Sequence, residues 1–175
     1  MNEKTKVYYS LARMYAFAKD ICTICELNNF DYEKVIETMV SKHAVNMCLV
    51  QLGEFSARIR DLDKHFYQTS GLSLPQIKGM RDRIAHSYGD IDYKVVKAVL
   101  KNDIPILKTA LENSVHKDVL ANPYFLYEME YDDFIASLSE PQKTPLDIQI
   151  NSAASKVSAQ NISHTPSKKE YKPER

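Results

Sequence analysis

Tryptophan is absent from this 175-residue chain, and glycine occurs only four times. So few residues suited to left-handed turns, together with long stretches free of helix breakers, exclude a turn-rich β fold and favour helices. Neither sign of charge is in excess: 23 Lys and Arg balance 23 Asp and Glu. Whole-molecule charge therefore advertises no nucleic-acid partner, and an anionic substrate must be met by a local basic site. No run approaches the ~20 apolar residues of a membrane span. The opening Met1-Asn2-Glu3-Lys4-Thr5-Lys6 leads into an amphipathic pattern rather than an apolar stretch, so neither a signal peptide nor a membrane is expected. Cysteine is limited to Cys22, Cys25 and Cys48. An odd count without an export signal implies free thiols in a reducing cytoplasm. Cys22-Thr23-Ile24-Cys25 has the spacing of a redox or zinc half-site. It lies in a helical pattern with no second ligand pair, however, and reads as core packing. No carboxylate–histidine cluster has metal spacing, so neither a metal nor a cofactor is expected.

What the chain does have is helical periodicity. From about Thr5 to Leu27, Val7, Leu11, Met14, Phe17, Ala18, Ile21 and Ile24 follow three- and four-residue steps. Asn28-Asn29 breaks this segment. Asp31 then caps a second helix, with Glu33 and Glu37 near its positive end. Its apolar positions include Val35, Met39, Val40, Ala44, Met47, Cys48, Leu52 and Phe55, and it is expected to run to about Ile59 as the longest helix. Gly53 lies inside it at a cost of about 1 kcal/mol relative to alanine. Either another backbone approaches there or the glycine is a tolerated imperfection. Tyr67 to Leu74 reads as a loop. A fourth helix after Asp92 carries Val95, Val96, Val99, Leu100, Ile104, Leu107 and Leu111. Pro105 should kink or restart it, with Asn102-Asp103 helping to cap the second half. The expectation is an all-α, antiparallel helical bundle over residues 1–117. Residues 118–140 form an acidic, aromatic-rich extension that suits a short helix, and 141–175, rich in Ser, Thr, Lys, Pro and Gln, reads as a disordered tail.

Between the second and fourth helices lies a short one, from about Leu74 to Ser87. Pro75 suits its first turn, Gly89 can end it, and Asp92 reads as the next N-cap. It carries Arg81, His86 and Tyr88 on a frame of Ile77, Met80 and Ile84. Arginine offers a charged fork suited to phosphate oxygens, and histidine exchanges protons near neutral pH. Together they suit metal-independent RNA cleavage: a base removes the 2′-hydroxyl proton and a cation stabilises the charge that develops. Residues five apart on a helix differ by about 140°, so Arg81 and His86 do not share a face. Transesterification also benefits from an acid as well as a base. Two copies around a two-fold axis would supply two histidines and two arginines, so the chemistry asks for a homodimer. The plainer reading of an isolated arginine and histidine near a helix end is a solvated surface.

Arg81-x4-His86-x-Tyr88 resembles the Arg-x4-His-x-Tyr motif of HEPN-domain toxins of the HepT type. The resemblance extends to Leu49-Val50-Gln51-Leu52-Gly53-Glu54-Phe55-Ser56-Ala57, to Leu74–Arg81, and to Tyr93-Lys94-Val95-Val96 and Asn102–Leu107 around the internal proline. It covers about Lys6 to Glu112. It implies a four-helix HEPN bundle and a cytoplasmic, metal-independent endoribonuclease whose homodimer lines a shared cleft with the motif helices. By position, Arg81 and His86 would be catalytic, and Asp82, where the family often has asparagine, would support the motif. The resemblance also implies a cognate nucleotidyltransferase antitoxin of the MntA type (an MNT protein) that silences the toxin by AMPylation of Tyr88. Lys78, Arg83 and Lys94 would extend a basic rim for RNA. The alternative is a non-catalytic HEPN dimer that serves as a binding platform for such a nucleotidyltransferase.

Overall fold

The computed structural model describes residues 2–86 and 91–122, together with Asp133 and Ala136. The described residues contain helices and no strand, arranged as the antiparallel bundle that the periodicity predicts. Helix α1 (Glu3–Leu27) starts at Asn2, whose side chain accepts from the Thr5 N–H at 2.8 Å. Capping of this kind satisfies a donor that the helix itself leaves unpaired. Leu11, Met14, Ala18 and Ile21 form its fully buried stripe. Each large side chain in it contributes about 1.5–3 kcal/mol by leaving water. The helix ends where Asn29 and Phe30 turn left-handed, with φ of 54° and 57°.

The single long helix expected from Asp31 is two. Asp31 does cap α2 (Tyr32–Glu37), but Thr38 has an extended backbone with ψ of 118°, and α3 (Met39–Leu62) starts afresh. A β-branched residue gives up little by leaving a helix. The break lets Val35 enter the core while Glu33 pairs with Lys97 across the bundle. It also resets the helical phase. The buried stripe of α3 runs through Val45, Cys48, Leu49, Leu52, Phe55, Ser56 and Ile59, whereas Met39, Val40 and Met47 are exposed.

The loop expected at 67–74 is likewise shorter. Asp63 caps α4 (Lys64–Thr69) by accepting from the Phe66 N–H at 2.8 Å, and Phe66 is buried. One turn with one buried side chain has no periodicity for a pattern to detect. The motif helix α5 (Leu74–His86) follows a left-handed Ser73, with Pro75 in its first turn. Residue 87, the expected helix end, and the expected Gly89 cap lie outside the described residues. Asp92 caps α6 (Tyr93–Ala98), accepting from the Lys94 N–H at 2.9 Å.

Pro105 does not break the chain into separate helices. Lacking an N–H, it cannot bond the carbonyl four residues back. The backbone widens over Val99–Asp103 into a π turn, where the Ile104 N–H donates to the Val99 carbonyl, and continues as α7 (Ile104–Ser114). The side-chain cap expected around Asp103 is not made, because a continuous helix leaves no free N–H there to cap. A last described turn, α8 (Lys117–Ala121), buries Val119 against the bundle, and the His116 N–H donates to Tyr8 Oη at 2.5 Å. Residues 123–132, 134–135 and 137–175, including most of the acidic segment and the expected disordered tail, lie outside the described residues.

The core sits between α1, α3, α5 and α7. Ser56 Oγ on α3 donates to the Leu74 carbonyl at 2.7 Å, and Arg81 meets Glu54, so α5 climbs as α3 descends. Lys108 lies over the Tyr15 ring while His116 meets Tyr8, which sets α7 antiparallel to α1. No helix among the described residues is long and apolar enough to cross a membrane.

Candidate active site

On α5, Ile77, Met80, Arg81 and Ile84 occupy positions i, i+3, i+4 and i+7, the stripe that faces a neighbouring helix. Arg81 therefore stands on the seam with α3 rather than on the outer surface. A β-carbon added to Gly53 would lie 2.0 Å from Arg81 Cβ, 2.6 Å from its Cγ and 3.3 Å from its Cα. Of the two readings of Gly53, close approach is the one realised. It gives α5 a berth in which the stem of an arginine passes through the helix interface.

The emerging guanidinium is held from two sides. Arg81 Nε donates to Glu54 Oε1 at 2.8 Å, and Nη2 donates to the same oxygen. Nη1 donates to Asp82 Oδ1 at 2.8 Å, while Asp82 Oδ2 accepts from Lys78 Nζ at 2.6 Å. Its hydrogen bonds to Glu54 first, and to Asp82 second, hold Arg81 above its ordinary pKa range, so its charge is permanent. Lys78, and then Arg81, hold the Asp82 carboxyl below the usual carboxylate range. A guanidinium has five N–H donors, and three of Arg81's are engaged by these partners. Two remain for an anion. Two carboxylates nevertheless balance Arg81 and Lys78, so a phosphate must compete with them for the charge. Lys78, expected in a basic rim, is instead tied to Asp82.

The structure places His86 as the last residue of α5, about 1.4 turns beyond Arg81. Tyr88 lies outside the described residues, as does the link from α5 to α6. The start of α6 is fastened beside α3 by Asn46 Nδ2, which donates to Tyr93 Oη at 3.2 Å. The structure pairs Arg81 with Asp82, the residue that stands where the family often has asparagine, and adds Glu54. Sequence reasoning gave Glu54 no role. The signal was its place next to Gly53, and it becomes legible only once α3 and α5 are in register.

Cys22, Cys25 and Cys48 are free thiols; Cys25 and Cys48 belong to the core, with Cys22 packed against it. Burial pushes the Cys25 and Cys48 thiols up to about 11. This agrees with core packing rather than with a reactive pair. No group of three His, Cys, Asp or Glu side chains suited to a metal ion occurs among the described residues.

The fold is an all-α helical bundle of the HEPN type. The family model described as Ribonuclease HepT-like matches residues 11–114, and the chain belongs to that family. Two relatives from Methanocaldococcus jannaschii carry the names "Putative RNase MJ1216" and "Putative RNase MJ0125". The first is 32% identical over 92 residues, covering 52% of this chain and 73% of the relative. The second is 31% identical over 106 residues, covering 57% and 89%. No solved structure matches.

Proposed function

We propose that this protein is the toxin of a toxin–antitoxin pair: a cytoplasmic, metal-independent endoribonuclease neutralised by AMPylation. The observation that carries the reading is the berth of Arg81. Gly53 and Glu54 present a fixed, permanently charged guanidinium at the helix seam, five residues before His86, in a chain of the HepT-like ribonuclease family. In this reading Arg81 binds the scissile phosphate and stabilises its developing charge, while His86 moves the proton. One histidine serves as base, and its counterpart in a second copy serves as acid, so the working unit is a homodimer.

Tyr88 is the proposed acceptor of AMP from a nucleotidyltransferase antitoxin of the MNT type. A nucleotide attached two residues from His86 adds bulk and negative charge where the RNA phosphate must sit, which supplies a physical reason for silencing. The test is the intact mass of the protein after co-expression with a candidate nucleotidyltransferase and after expression alone, joined to a growth assay. An added adenylate that disappears in Tyr88→Phe, and toxicity that disappears in His86→Ala, are the expected results.

A second reading has one observation in its favour. Glu54 and Asp82 both occupy Arg81, which suits a HEPN dimer that binds a nucleotidyltransferase without cutting RNA. If His86→Ala slows growth as much as the unaltered protein, this platform reading replaces the nuclease.

A further inference from the structure

On the face formed by α1 and α3, two guanidinium groups share an aromatic shelf. Arg58 Cζ lies 5.0 Å from the Phe55 ring centroid, and Arg13 Cζ lies 6.0 Å from the same ring and 5.0 Å from that of Phe17. The Phe17 and Phe55 rings stack at 6.0 Å, with 29° between their planes. Phe55 itself is buried beneath the arginines, so the shelf offers oriented charge and ring edge rather than a bare stacking surface. Arg58 is exposed and forms no ion pair among the described residues. Two like charges held over one ring, one of them without a carboxylate, favour an anionic and partly aromatic partner.

We infer that this shelf is the dock of the chain's own acidic, aromatic segment, residues 123–140. Between Pro123 and Glu140 that segment carries Glu128, Glu130, Asp132 and Asp133 with no Lys or Arg, and Tyr124, Phe125, Tyr127, Tyr131 and Phe134 among them. Its charge and side chains complement the shelf. Its point of departure matches as well. The described bundle ends with α8, which packs on the N-terminal half of α1, where the His116 N–H meets Tyr8. Arg13 lies five residues further along α1, a rise of about 7–8 Å. The segment leaves from Asn122 at the end of α8, and its 18 residues span up to about 60 Å when extended, so it is long enough to reach the shelf.

A competing location is an apolar groove of about 680 Å³ between α5 and α7, lined by Met80, Val99 and Ile104 among others. Its charged lining residues are Arg83 and Asp103, one of each sign, so it has no surplus charge to attract an acidic segment. The shelf also adjoins the candidate site: Arg58 follows Glu54 by one turn of α3, and Glu54 holds Arg81. The docking itself does not depend on the nuclease reading.

The experiment is photocrosslinking in the full-length protein, with a benzophenone side chain in place of Tyr127 and peptide mapping by mass spectrometry. Crosslinks are expected within residues 9–17 and 51–58. Their yield should fall about fivefold in Arg58→Glu and in ~1 M salt, and persist in Arg58→Lys. If Arg58→Glu disturbs helicity, Glu128→Lys with Glu130→Lys tests the same complementarity from the segment's side, with the same loss expected. Crosslinks into the α5–α7 groove, crosslinks only between differently isotope-labelled copies, or no crosslinks at all would overturn the inference. So would an unchanged crosslink in Arg58→Glu accompanied by loss of binding to a short single-stranded RNA, which would assign the shelf to RNA.

Discussion

Gly53 and Arg81 occupy one point of the α3–α5 seam: the glycine has no side chain because the arginine stem fills its place. In an ordinary helix interior, alanine is favoured over glycine by about 1 kcal/mol. Here the added methyl meets Arg81 Cβ at 2.0 Å, with the Arg81 backbone behind it, so α5 must move away from α3. Gly53→Ala should therefore destabilise the protein by about 1–3 kcal/mol and shift Arg81 relative to His86. Gly79, on the same α5, has open space around an added β-carbon. Gly79→Ala should stabilise by about 0.4–1 kcal/mol. Urea denaturation of the two variants side by side reads the opposite signs, and a stabilised Gly53→Ala would contradict the seam geometry.

That pair also marks how far the sequence alone could reach. The stripes of α1 and α7 are long and regular, so periodicity located them, and the caps Asp31 and Asp92 were visible because their side chains act on residues two or three positions away. The break at Thr38 was not visible. Val35, Met39 and Val40 continue the apolar pattern across it, while a contact that accompanies it, Glu33 with Lys97, joins residues 64 apart. Within the candidate site, the family resemblance singles out Arg81 and Asp82. Glu54 was not legible, because its role depends on the register of two helices joined by a turn and a short α4. Gly53 is an anomaly in a helical pattern, and only its neighbour Arg81 gives the anomaly a meaning.

Ser56 fastens the start of the motif helix. It is fully buried, and its hydroxyl donates to the Leu74 carbonyl at 2.7 Å, where α5 begins. Ser56→Ala removes the donor and leaves a buried carbonyl short of a partner. The expected cost is about 1–3 kcal/mol, with loss of amide protection concentrated in the first turn of α5. Hydrogen exchange checks this: uniform loss across the bundle would mean that the hydroxyl serves general packing instead.

The thiols set a limit on alkaline stability. Cys25 and Cys48 have pKa values of about 11 in the fold because burial disfavours the thiolate, against an ordinary 9.0. Between those values the unfolded chain has released protons that the native chain still holds. Stability must therefore fall as pH rises from about 9 towards about 11, and it is insensitive to these groups below that window. Cys25→Ser and Cys48→Ala report the individual contributions. Alkylation by iodoacetamide at pH 8 should leave both residues unmodified in the native protein and modify all three cysteines in denaturant.

Glu54 and Asp82 make different demands on the same guanidinium. Glu54 lies on another helix and takes both Nε and Nη2, so it fixes where Arg81 points; Asp82 is the next residue and takes only Nη1. If Arg81 receives the RNA phosphate, removing the Asp82 charge leaves the aim intact and frees a donor. Asp82→Asn should then tighten binding of a non-cleavable RNA by about threefold at low salt, and less as salt rises. Removing Glu54 frees two donors but loses the aim. Glu54→Ala should lower kcat by tenfold or more, on the order expected when a catalytic group is misplaced by about 1 Å. Glu54→Gln keeps an acceptor oxygen at the same place and should retain more of the rate than Glu54→Ala. Single-turnover cleavage and binding, measured separately, distinguish the two roles. Should Glu54→Ala tighten binding like Asp82→Asn with no loss of rate, then Glu54 is only a competing anion, and the berth of Arg81 rests on Gly53 alone.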